Sequence, residues 1–372
     1  MAETGSQRNI VIKCRSPLRF SLEGLLVSGV ALFTGCESDV EEPDQVGEYV
    51  EIFNESGEEL CPGTAAQMDD FLEHAFAVLG ETPPGSRFVE YHWGEDSLFG
   101  VTKPPHSGGV RVESGSAVHE HELVHAAQFA TWPRGPDFLE EGLAVMLSES
   151  VINQVAAQHP TGRELDEALV LGTGSFDYDV AWLVVSQIVL EHGLSGLKEF
   201  WFALPGDVPM EQVRETYTQM FGTSFDDLTQ PFEAVVFDEP QLLERGVCRI
   251  RFCTGERLEW TSNETVEGTV PTSCMDEHAV SPSSTIGERF PWRDYVVEGP
   301  SPAVGRGTAP GVYVDIQPCG VLWCNDFTVR NAGLVDPPDE PWLRENTYRL
   351  RVSIYPDEFD PDSSPTFQLV PR

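Results

Sequence analysis

With 372 residues the chain is too long for one average domain and comfortable for two, each able to bury a core. Its 61 acidic against 23 basic residues give a net charge of −38, and only three lysines occur, Lys13, Lys103 and Lys198. A surface of that sign repels nucleic acid and anionic membranes, so no nucleic-acid partner is expected; it suits solubility in an extracellular or salty medium first, and a preference for basic substrates second.

Lys13, Arg15 and Arg19 precede the apolar run Leu25 to Phe33, which is too short to span a bilayer but right for the core of an export signal. The run ends in Phe33-Thr34-Gly35-Cys36, which is similar to a bacterial lipobox. That resemblance implies a lipid on Cys36, the only link to a membrane. With Glu37 next in the chain it also implies an outer-membrane lipoprotein, periplasmic or on the cell surface; ordinary cleavage and secretion is the alternative. Residues 1–35 are then a signal peptide, and 36–47 a lipidation site and acidic tether, too poor in apolar residues to fold alone.

A first domain is expected over 48–241. A strand is predicted at Tyr49 to Phe53, and Thr64 is placed to cap a helix from about Ala65 to Leu79 that buries Met68, Phe71, Leu72, Ala75 and Leu79. Phe88 to Trp93 alternates as a strand, and Gly109 to Glu113 forms a shorter one. Then comes His121-Glu122-Leu123-Val124-His125. On a helix, residues four apart share a face, so His121 and His125 aim two imidazoles at one point, where Zn2+ accepts neutral nitrogen ligands. Glu122 sits one position round, within reach of a water at that point, where a general base belongs. A catalytic zinc needs a third protein ligand. Phe138, Leu139, Leu143, Ala144, Met146 and Leu147 recur at roughly helical spacing, and a turn containing Pro133, Gly135 and Pro136 can fold this second helix back on the first. Both Glu140 and Glu141 lie on it. A bare HExxH also occurs by chance on exposed helices that hold no metal.

The segment His121 to Ala144 resembles the gluzincin zinc metallopeptidases, in which HExxH is followed by a glutamate in a Trp-Leu-x-Glu-Gly-Leu/Phe-Ala setting. The matching residues here are Phe138-Leu139-Glu140-Glu141-Gly142-Leu143-Ala144, so the resemblance implies Glu141 as third ligand. Tyr178-Asp179-Val180-Ala181-Trp182-Leu183 is similar to a helix start of the same group, and Met220 to Phe225 to a later piece. The likeness spans about residues 61 to 240. The chain carries no Gly-x-Met-Glu-Asn motif, and only fifteen residues separate His125 from Glu141, so a ligand set is implied but no subfamily. A zincin-like fold further implies an edge strand before the metal helix that pairs with an extended peptide substrate, and Val110 to Glu113 is the candidate. His119 lies two residues from His121, which on a helix turns it away, so it is expected exposed or capping.

Tyr178 is the candidate donor to a developing oxyanion, because a phenol can donate without carrying charge; packing at a helix start is its plainer role. Val180 to Leu190 is expected as a buried helix closed by Glu191-His192-Gly193. One more helix should follow Asp207-Val208-Pro209, with Asp207 as cap, and another should run from Ser224 to Val236 across Pro231.

From 242 to 372 the texture changes to short alternating runs, such as Gly311 to Ile316 and Tyr348 to Ile354, separated by Gly, Pro, Ser and Asn, with loop-rich connections such as Glu298 to Pro310. Once Cys14 and Cys36 are set aside, six cysteines remain: Cys61, Cys248, Cys253, Cys274, Cys319 and Cys324. An even set in an exported chain argues for up to three disulfides rather than a second zinc site. The expected fold class is α+β: a zincin-like, mostly helical metallopeptidase domain with a small sheet, then a disulfide-braced, sandwich-like all-β domain. The expected activity is zinc-dependent hydrolysis of a peptide or protein substrate, with His121, His125 and Glu141 on the metal, Glu122 as base and Tyr178 as oxyanion donor. The rivals are a surface-displayed binding lipoprotein whose zinc site turns over little or nothing, and a structural lipoprotein in which HELVH is accidental.

Overall fold

The computed structural model describes residues 42–94, 101–106, 109–148, 169, 178–206, 208–229, 248–260, 265–282, 291–298, 304–309, 311–320, 322–324, 333–334, 347–354 and 365–370. The export signal, Cys36, Asp207, Pro231 and the boundary near 242 lie outside them.

The fold mixes helix and sheet. Strands β1 (Gln45–Val46), β2 (Val50–Asn54), β3 (Val89–Trp93), β4 (Val101–His106) and β5 (Gly109–Ser114) form one sheet in the order β1-β2-β3-β5-β4. The three inner strands are parallel and the two outer ones antiparallel to their neighbours. Helix α1 (Thr64–Leu79) makes the crossover from β2 to β3. It packs Met68, Phe71, Leu72, Ala75, Phe76 and Leu79 into the same core as Val50, Ile52, Val89, Tyr91, Val110 and Val112 of the sheet. The helix ends where Gly80 turns left-handed at φ 68°.

Two expectations are corrected here. Val110 to Glu113 is no edge: β4 pairs outside β5 and takes the edge position. Pro104 and Pro105 hid β4 from sequence reasoning, since proline breaks an inner strand but is tolerated at an edge. Thr64 is no cap either. It is the first residue of α1, and its hydroxyl bonds Ser281 Oγ (3.1 Å) and accepts the Ser281 N–H (3.1 Å). The Ala65 N–H is satisfied instead by Gln45 Oε1 (2.8 Å), so the last residues of the acidic segment are built into the fold.

On β3, His92 is buried and stacks on Phe53 with ring centres 4.7 Å apart. Its two nitrogens face Glu55 Oε1 (3.0 Å) and Glu90 Oε1 (2.8 Å). Burial disfavours its charge, but the hydrogen bonds to Glu90 and Glu55 outweigh this and raise its pKa. A raised histidine stabilises fully below its unfolded pKa, and the contribution is lost as pH rises through the folded value. The melting-temperature gap between wild type and His92→Ala should therefore be widest near pH 6 and shrink by pH 9; a gap that widens with pH contradicts the assignment.

Helix α2 (Glu120–Thr131), α3 (Asp137–Leu147), α4 (Tyr178–Ala203) and α5 (Met210–Phe221) follow. The predicted stop at Gly193 is present: the backbone leaves the helix there at φ 72°, and a second helical segment follows directly and runs to Ala203. From Val180 to Val189 nearly every residue is buried, which explains an apolar run as long as a membrane span inside a protein core. Residues 225–229 are helical, within the span predicted from Ser224.

The regular elements described from Cys248 onward are strands. Strand β6 (Cys248–Ile250) pairs with β12 (Leu322–Cys324), which pairs with β13 (Gly333–Leu334). Strands β7 (Glu256–Glu259), β9 (Arg293–Glu298), β11 (Val312–Pro318) and β14 (Thr347–Ile354) form a sheet ordered β11-β14-β9-β7. Strands β8 (Val266–Thr269), β10 (Val304–Gly307) and β15 (Thr366–Val370) form another, ordered β10-β15-β8. The expected 298–310 loop therefore contains a strand, β10, which its two glycines concealed. Trp260, Tyr295, Val297, Leu350, Val352, Phe367 and Leu369 make a core of their own, whereas Ile250, Phe252, Val280 and Trp292 join the core of the first region.

Among the described residues, two cysteine pairs lie at bonding distance. Cys61–Cys274 ties the segment before α1 to the strand-rich region, and Cys253–Cys319 braces that region internally. The cysteines of each Cys-x4-Cys spacing thus do not act as a unit. In the backbone register Cys248 stands opposite Cys324.

Candidate metal centre

Helix α2 carries His121, Glu122 and His125 on a buried face. Its acidic first turn, Glu120 and Glu122, suits the positive end of the helix dipole. The chain leaves α2 at Trp132 and turns through Pro133 to Pro136 into α3. This turn is pinned: the Trp201 indole N–H of α4 donates to the Pro133 carbonyl (2.9 Å), and the Gly206 N–H donates to that of Arg134 (3.1 Å). Gly135 is required there, because a Cβ would lie 2.6 Å from the Trp201 ring. One turn into α3, Gly142 lets the helix approach α4 so closely that a Cβ would sit 2.4 Å from the Ala181 carbonyl oxygen. These two close approaches set where Glu141 points.

His121 Nε2 lies 2.9 Å from Glu141 Oε2, His125 Nε2 lies 3.2 Å from it, and the two nitrogens are 3.1 Å apart. These are the three residues whose donor atoms converge among the described residues. At a zinc–ligand distance of about 2.05 Å, the donors of a tetrahedral site stand about 3.3 Å apart, so the three atoms are spaced as a zinc ion needs them. Two imidazole nitrogens and one carboxylate oxygen also leave a fourth position.

Glu140, the neighbour that spacing alone could not separate from Glu141, is turned elsewhere. Its Oε1 accepts the Gly135 N–H (2.9 Å) and its Oε2 pairs with Arg134 (2.9 Å), closing the α2–α3 turn. Burial lifts the Glu140 carboxyl to about 7, against the pull of Arg134 and the Gly135 N–H. Sequence reasoning missed this clamp, although an arginine and a glutamate flanking a Gly-Pro turn are a readable signal. Arg134 also lies 4.4 Å above the Phe129 ring, which stacks on His125 at 5.6 Å, so the clamp reaches the back of a donor ring.

The converging groups shift one another's protonation. Burial opposes charge on Glu141, yet His125 and His121 hold its carboxyl well below the usual range. Burial likewise opposes charge on His125, and the Glu141, Glu122 and Glu140 carboxylates outweigh it, pushing the ring up to about 9. Glu122 is 5 % exposed. The Tyr178 ring meets His121 edge-on with centres 5.9 Å apart; burial, then Glu141 and Glu122, raises its pKa, so the phenol keeps its proton.

His119 takes the N-cap position of α2 without capping through its side chain. Its Nδ1 lies 3.2 Å from Ser114 Oγ, and burial with the nearby His121 pushes it down to about 4. It is not among the converging donors. Comparison of the chain with protein-family models, curated proteins and solved structures returned no match.

Proposed function

We propose that the chain is a zinc-dependent peptidase of gluzincin type, an α+β protein with a zincin-like region carrying the site and a β-rich region after it. The observation that carries this reading is the convergence of His121 Nε2, His125 Nε2 and Glu141 Oε2 from two helices on one point. Zinc held by these three residues supplies Lewis acidity toward a water and toward the carbonyl of the scissile bond. Glu122, buried one position from His121, takes the proton of the attacking water on its carboxylate and hands it to the leaving amine. Tyr178 donates its phenolic proton as a hydrogen bond to the oxygen where negative charge develops.

An extended peptide can add to β4, the edge strand among the described residues. Pro104 and Pro105 offer no N–H, so pairing falls on residues 101–103, short enough that side-chain contacts must carry much of the binding. The two cysteine pairs suit an oxidising compartment, in keeping with export and an anchor on Cys36.

The test is to incubate zinc-loaded protein with a peptide library of mixed sequence and identify new termini by mass spectrometry. Cleavage abolished by a chelator and restored by zinc supports the reading. Bound zinc with no cleavage of any peptide overturns it in favour of a binding protein.

A further inference from the structure

We propose that the strand-rich region is part of the scaffold of the metal centre, with Arg351 as a positioning residue that holds the first turn of α2 through Glu120. The inference rests on the metal-centre reading above and adds what fixes that centre in place.

Arg351 of β14 is buried, and its guanidinium forks onto Asp294 of β9, Nε to Oδ1 and Nη2 to Oδ2, both 2.8 Å. The Asp294 side chain is 0 % exposed. It also accepts from Gln67 Nε2 of α1 (3.3 Å) and Thr254 Oγ1 (3.1 Å), with Arg349 Nε at 3.8 Å. The Trp292 ring lies under the Arg351 guanidinium at 3.9 Å. A planar fork paired on two bonds and stacked on an indole has little freedom to slide or rotate.

From that fixed position Arg351 Nη2 reaches Glu120 Oε1 at 3.5 Å. Glu120 is the first residue of α2 and the immediate neighbour of His121. Among the described residues two arginines face two carboxylates, and their contacts tie α1, α2, β9 and β14 together. Metal affinity depends on donor positions to within about 0.2 Å, and a helix held at its first turn keeps His121 and His125 in register with Glu141 on α3.

Glu120→Gln is the test, because it leaves the Arg351–Asp294 fork intact and so keeps the fold. On the full-length protein, zinc affinity is measured by chelator competition, and the visible spectrum is recorded with Co2+ in place of zinc. The expected result is a loss of about tenfold in zinc affinity with shifted Co2+ bands, and Arg351→Lys, which keeps charge but loses the fork, should shift the same bands. Unchanged affinity overturns the proposal. So does weaker binding with an unchanged Co2+ spectrum, which signals loss of charge rather than of position. Wild-type protein that binds no zinc defeats the metal-centre reading and this inference together.

Discussion

On the proposed peptidase reading, replacing Glu122 by glutamine should lower peptide hydrolysis roughly a thousandfold while zinc stays bound, the scale on which a positioned general base acts. Glutamine matches glutamate in shape and fits the same buried position, so His121 and His125 on the same helix should keep their places. What it cannot do is accept a proton. Glu122→Asp keeps the carboxylate but withdraws it by one methylene, and should fall between wild type and Glu122→Gln. Steady-state kinetics on a peptide cleaved by the wild type, with metal content measured on the same samples, decide the matter. A Glu122→Gln protein with full zinc and near wild-type turnover would remove Glu122 from the chemistry.

Asp294→Ala should destabilise the protein by about 3–5 kcal/mol, the range seen when one partner of a buried ion pair is removed. Arg351 and Arg349 are both buried, and without Asp294 the interior keeps two guanidinium groups that have lost a fully buried carboxylate partner. Gln67 and Thr254 lose an acceptor in the same step. Asp294→Asn keeps part of the hydrogen bonding and should cost less. Urea denaturation at fixed pH measures both; a loss below about 1 kcal/mol for the alanine variant contradicts a network that joins the strand-rich region to α1 and α2.

What could be read in advance depended on how local its cause was. His121 and His125 are four residues apart on one helix, so their convergence follows from helical geometry. The choice of Glu141 over Glu140 came from resemblance alone. The structure separates the two by giving Glu140 to Arg134 and Gly135, a contact across a turn. The periodic apolar face of α1 and the continuous apolar run from Val180 to Leu190 were legible, as was the break at Gly193, whereas the helical segment that follows directly to Ala203 was not expected. Strand β4 was hidden by prolines whose tolerance depends on lying at an edge, a property of the assembled sheet. Thr64 looked like a cap until Ser281 claimed its hydroxyl, and Glu120 gave no hint of Arg351 far along the chain. Such contacts are written by tertiary folding and leave no local pattern.

The most direct test of the central claim is the zinc content of purified wild-type protein beside Glu141→Ala, by elemental analysis after dialysis against zinc and then against buffer. Three converging donors predict one zinc per chain in the wild type and a marked loss in Glu141→Ala, which keeps two ligands of three. A wild type that retains no zinc, or a Glu141→Ala protein that holds it as tightly, would contradict the ligand set.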